Sequence, residues 1–149
     1  MPITDLDTLL PLVRDVVAAQ PELAATYVFG SVARGTARDD SDLDLGVVYR
    51  GRAPDAARHD RIATALAAAV SRATGFEHVD VVDLATQGPI FAHRVLCDGR
   101  LVHEADRVRR IDFESDTMSH AFDFMPTHRI ATAGKPQALR HWLRDRYGV

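Results

Sequence analysis

A chain of 149 residues fits one domain with a sizeable core, one that buries about 68–70% of its unfolded surface. The single cysteine rules out an internal disulfide, no apolar run reaches transmembrane length, and Met1-Pro2-Ile3-Thr4-Asp5 lacks the basic-then-apolar order of a leader, so a cytoplasmic protein without membrane contact is expected. Charge is uneven, with 13 Lys/Arg against 20 Asp/Glu in residues 1–126 and five against one in residues 127–149, and so acidic a body argues against long nucleic acids as direct substrate.

Thr4 with Asp7 reads as a capping box, and Leu6, Leu9, Leu10, Val13, Val16 and Val17 follow helical spacing up to Pro21. Thr26 to Phe29 is a β-branched and aromatic run that reads as a buried strand. A short helix is expected at Ser31, then a polar turn, then a strand from about Asp42 to Val48. Pro54 is placed to start a helix whose apolar stripe is Ile62, Leu66, Ala69, Val70 and Ala73, with Gly75 as its C-terminal cap. A third strand covers His78 to Asp83, Pro89 opens another helix that stops near Gly99, and Arg100 to His103 is a short strand. Helices are expected over Asp106 to Phe124 and Ala138 to Tyr147, the second with Leu139, Trp142 and Leu143 as its apolar contacts. Alternating strands and helices indicate an α/β or α+β domain.

Chemistry concentrates between Gly30 and Asp44, where G-S-V-A-R-G-T-A-R-D-D-S-D-L-D sets a Gly-Ser turn ten residues ahead of two aspartates. Gly30 lets the backbone turn tightly beside a ligand. Ser31 suits the N-cap of the short helix, whose outward N–H groups favour an anion. Residues two apart in a strand share a face, so Asp42 and Asp44 project together while Leu43 and Leu45 enter the core. Adjacent carboxylates repel unless a cation separates them, and hard oxygen ligands suit Mg²⁺ bound with substrate phosphates. A Gly-Ser pair alone is an ordinary turn and D-x-D alone an ordinary strand end; their joint spacing between apolar strands is what indicates a nucleotide site.

The run G-S-x10-D-x-D resembles the nucleotidyltransferase superfamily of the DNA polymerase β type. With G-S-x-A-R-G and S-D-x-D-L it is similar to the minimal nucleotidyltransferase branch. In the tail, Gly99-Arg100-Leu101-Val102-His103 and Phe113-Glu114 through Asp123-Phe124-Met125-Pro126 resemble the MntA antitoxins, which pair with an α-helical HepT toxin and adenylylate it. The resemblance implies a mixed sheet and a third carboxylate on a neighbouring strand, which Asp80 in V-D-V-V-D-L matches. It implies two Mg²⁺ ions on Asp42, Asp44 and Asp80, with the phosphates of ATP on Gly30 and Ser31. AMP is then expected to pass to a tyrosine hydroxyl of a HepT-like toxin held in a hetero-oligomer.

Arg34 and Arg38 are candidate phosphate partners, Arg34 favoured because it lies inside the motif. Asp83 is expected to cap or end its strand. Cys97 is expected as a core or semi-buried residue rather than a nucleophile, since nothing places a histidine and an acid beside it, and the histidines show no i, i+4 pair and no cysteine partner at zinc spacing. Phe113, Phe122, Phe124 and Trp142 read as core or partner-facing side chains, which leaves the base without a holder. Residues 1–104 form the expected core, and 105–149 a helical extension of the same unit that contacts the partner. Two other readings stand beside this one: transfer to a small-molecule hydroxyl of aminoglycoside type, and a silent antitoxin that acts by binding alone. The first needs a bulky acceptor domain after His103, where the chain is short; the second expects a lost carboxylate.

Overall fold

The computed structural model describes residues 2–124 of the chain. The helix expected over 138–147, Trp142, the Met125-Pro126 pair and the basic tail lie outside the described residues.

Helix α1 (Leu6–Val17) is capped by Asp5, whose carboxylate accepts from the Thr8 N–H at 3.1 Å and the Thr8 hydroxyl at 2.7 Å. The cap therefore sits one residue later than the Thr4–Asp7 reading placed it. A carboxylate at the cap satisfies the first-turn N–H and also complements the positive end of the helix, which a threonine hydroxyl cannot do.

Four strands follow: β1 (Leu23–Phe29), β2 (Leu43–Tyr49), β3 (Val79–Asp83) and β4 (Arg100–Glu104). They form one sheet in the order β3-β2-β1-β4. β1 runs antiparallel to β2 and β4, while β2 and β3 are parallel, so the sheet is mixed as expected. A parallel pair needs a crossover, and helix α3 (Ala56–Thr74) supplies it, ending at Gly75 with φ +85°. The buried stripe of α3 is Ile62, Leu66, Val70 and Thr74, whereas Ala73 of the expected stripe is exposed. β1 begins three residues before Thr26, because Ala24 and Ala25 lie buried in the middle of the sheet and packing overrides their weak strand preference.

Helices cover both faces. Leu43, Leu45 and Val47 pack against Leu9, Val13, Ile62 and Leu66 on one side. Ala25, Tyr27 and Val48 pack on the other against Ala92, Val95 and Leu96 of α4 (Pro89–Asp98) and Phe113 of α5 (Arg107–Phe124). A single 3-10 turn, Leu84–Thr86, completes that layer, and Asp83 caps it by accepting from the Ala85 N–H at 3.2 Å. α5 is tied down by a buried polar group: the Tyr27 hydroxyl donates to Glu114 Oε1 at 2.6 Å, and Arg110 donates to Glu114 at 3.1 Å while pairing with Glu104. Of the phenylalanines read as core or partner-facing, Phe113 is buried in the core and Phe124 is 66% exposed.

The topology decides where chemistry can sit. β1 ends, and β2 and β3 begin, at the same edge of the sheet. The five-residue helix α2 (Gly30–Arg34) bridges β1 to β2 across that edge.

Candidate active site

Backbone pairing brings together residues far apart in sequence. Phe29 pairs with Asp44 across β1 and β2, and Asp44 with Asp80 across β2 and β3, so these three side chains rise side by side from one face. Asp42 lies immediately before β2, two residues from Asp44 and exposed, and Asp80 is exposed as well. The approach to Asp42 is fixed by a turn in which the Arg38 N–H donates to Ser41 Oγ at 2.7 Å and the Ser41 N–H to the Arg38 carbonyl at 3.0 Å. The start of β2 is pinned to β3 by the Leu43 N–H donating to the His78 carbonyl at 3.1 Å.

Gly30 is required twice over. Its φ is +75°, a region L side chains rarely enter, and a Cβ there would lie 2.2 Å from Asp44 Oδ2. The absent side chain is the space in which the Asp44 carboxylate sits. That carboxyl is pushed above its usual 3.8, first by burial, then by the charges of Asp80 and Asp42, against a smaller opposing pull from Arg34. Arg34, exposed at the end of α2, is thus within electrostatic reach of the row, while Arg38 is exposed in the following turn.

Among the described residues, no three His, Cys, Asp or Glu side chains are gathered tightly enough to form a metal cage. The donor set nonetheless fits a divalent cation completed by substrate phosphates. Three carboxylates share one end of the sheet, and burial, followed by the charges of Asp80 and Asp42, disfavours the charged form of the central one, which a cation would offset.

Two expectations are corrected. Ser31 is not the N-cap of α2; that position falls at Phe29, and no side-chain cap bond is made. The left-handed Gly30 turns the chain by itself, which leaves the Ser31 hydroxyl without a capping role. Cys97 is exposed, and its Sγ lies 3.6 Å from His93 Nε2. Positions 93 and 97 are one helical turn apart on α4, and Ala92, Val95 and Leu96 occupy its buried face instead. Phe29, the end of the strand expected over 26–29, shares the row with Asp44, and the ring of Phe91 on α4 meets that of Phe29.

A family model described as Polymerase beta, Nucleotidyltransferase matches residues 13–108. Protein adenylyltransferase MntA of Shewanella oneidensis is 30% identical over 92 residues, which make up 62% of this chain; the chain spans about 60% of the length of that curated relative. A crystal structure of a toxin-antitoxin with AMP-PNP matches at a TM-score of 0.60 and 24% identity, covering 82% of this chain and 93% of that one. A tri-AMPylated Shewanella oneidensis HEPN toxin in complex with MNT antitoxin matches at a TM-score of 0.51 and 24% identity, covering 84% and 89%. At that identity, both structural likenesses speak to the fold.

Proposed function

The chain belongs to the Polymerase beta nucleotidyltransferase family, and we propose that it is a Mg²⁺-dependent protein adenylyltransferase antitoxin. In this reading it moves AMP from ATP to a tyrosine hydroxyl of a cognate HepT-type toxin and neutralises it. The observation that carries the reading is the pairing of Asp44 with Asp80 beside a glycine whose missing side chain makes room for Asp44. The adenylyltransferase relative supports the choice of AMP and of a protein acceptor.

Each residue has a distinct task. The first-turn N–H groups of α2 have no carbonyl one turn back, so those at Gly30 and Ser31 bind the β- and γ-phosphates. Arg34 adds positive charge on the same side. Asp42, Asp44 and Asp80 would hold two Mg²⁺ ions, which when bound supply the Lewis acidity that stabilises charge on the phosphoryl oxygens. The acceptor oxygen bonds to the α-phosphorus, the bond to the β-phosphate oxygen breaks, and pyrophosphate leaves. In this reading Asp80, exposed at the β3 edge away from α2, takes the acceptor proton at its carboxylate. Within the described residues α5 packs on α4 and β1 and leaves Val108 and Phe124 exposed, a surface on which the partner could dock.

The test is label transfer from ATP with Mg²⁺ to a co-purified HepT-type partner. Wild type should label the partner and Asp42→Ala/Asp44→Ala should not, with both proteins folded. Continued labelling by the double variant would refute the site assignment.

A further inference from the structure

An exposed apolar side chain ordinarily needs no explanation. Phe91 differs by its position. It lies in the first turn of α4, and its ring meets that of Phe29 edge to face, with centroids 5.8 Å apart and planes at 89°. Phe29 is in turn the backbone partner of Asp44, so the row Asp80, Asp44, Phe29 continues off the sheet onto Phe91. The contact does not bury Phe91, which is 37% exposed beside an Ile90 that is 38% exposed. α4 also packs directly on α2, the helix assigned to the phosphates.

We propose that Phe91 is the platform on which the base of the nucleoside triphosphate stacks. The inference rests on the nucleotidyl-transfer reading and adds to it the residue that holds the nucleoside. With phosphates on α2 and the α-phosphorus over Asp44, a nucleoside leaning toward the β1 side passes over Phe29 and reaches Phe91. The opposite side, at Asp80, stays open for the acceptor, as in-line displacement demands. The edge-to-face contact fixes the tilt of the Phe91 ring, which presents it to the base as a rigid surface. A stack of this kind grips any base through its π face and reads no edge, so it supplies affinity for the nucleoside rather than strict choice among bases.

The test compares two ligands that share phosphates and differ in the base, namely ATP and inorganic tripolyphosphate, titrated calorimetrically with Mg²⁺ into the full chain. Wild type should bind ATP more tightly than tripolyphosphate. Phe91→Ala should weaken ATP about 5- to 150-fold and leave tripolyphosphate unchanged, and Phe91→Trp should restore ATP. Unchanged ATP affinity in Phe91→Ala overturns the proposal, including the case where toxin binding falls instead and marks Phe91 as a protein contact. An equal loss for both ligands overturns it too, since Phe91 would then only support α2. A wild type that binds both ligands equally sinks this inference alone, whereas one that binds neither sinks the nucleotide site and this inference with it.

Discussion

Gly30 and Gly35 bracket α2 with the same backbone angle, φ +75°, and opposite surroundings. A Cβ at Gly35 would meet nothing within 4 Å, whereas at Gly30 it would stand 2.2 Å from Asp44 Oδ2 and 3.2 Å from Asp44 Cγ. Gly→Ala at either position places an L side chain in the left-handed region, at a cost of about 1–2 kcal/mol. In urea, with a slope of about 1–3 kcal/mol/M, either variant should shift its midpoint down by roughly 0.3–2 M. Activity should separate them. Real Cβ contacts essentially never fall below 3.0 Å, so from 2.2 Å the carboxylate in Gly30→Ala must retreat by about 0.8 Å. The obstructing atom is the end of a side chain, so Asp44 yields by rotating and the sheet survives. A displacement near 1 Å at a reacting centre costs about 100-fold in rate. Initial rates of AMP transfer at saturating ATP should therefore drop about 100-fold in Gly30→Ala and only a few-fold in Gly35→Ala. Equal rates in the two variants would show that Asp44 does not need the space it occupies.

Three further outcomes follow from the same geometry. Asp80→Asn keeps the shape of the row but removes both the proton acceptor and an anionic ligand for Mg²⁺, so transfer should fall at least about 10²–10⁴-fold; a full rate in that variant makes Asp80 structural. Tyr27→Phe removes a buried donor from Glu114 and should cost about 1–3 kcal/mol, read as a drop of several degrees in Tm; an unchanged Tm would mean α5 is not anchored through this group. Burial pushes the Asp83 carboxyl above its usual 3.8, against opposing pulls from the Ala85 N–H, His59 and Arg109. The folded chain therefore holds this proton more tightly than the unfolded chain, and its contribution to stability declines as pH rises from 3.8 through the folded pKa. Asp83→Asn keeps an oxygen for the cap and carries no charge. Its stability relative to wild type should grow across that window and then level, and a gap that is flat or shrinks in urea titrations between pH 3 and 7 refutes the assignment.

The local parts of the site were legible because local chemistry makes them. Gly30 turns the chain wherever φ must be positive, and the alternation of Asp42, Leu43, Asp44 and Leu45 puts acids on one face in any strand. Asp83 capping the 3-10 turn and Gly75 ending α3 were readable on the same ground. Competition between neighbours was harder to read. Thr4 and Asp5 can each cap α1, and a Gly-Ser pair can set its helix at either residue; the outcome depends on which group also gains a charge or relieves the backbone. Cys97 was misplaced for a related reason. A small thiol among apolar residues suggests the core, but the face of α4 turned inward is fixed by Ala92, Val95 and Leu96 docking on β1.

Register is the part that no local rule supplies. Asp44 and Asp80 are separated by the whole of α3, and their pairing is set by the burial of Leu45 and Val81 beside them, in strands where a slip of one residue would turn every side chain to the other face. The same register carries Phe29 into the row and through it positions Phe91, whose sequence context resembles that of any apolar residue at a helix start. The acids declare themselves by being charged where a strand should be apolar. An aromatic that serves a ligand carries no such signature, because the hydrophobic face that would hold a base is chemically the same as one that fills a core. Position and exposure together separate the cases: Phe113 is buried by its neighbours, whereas Phe91 keeps more than a third of its surface while its ring meets Phe29, the backbone partner of Asp44.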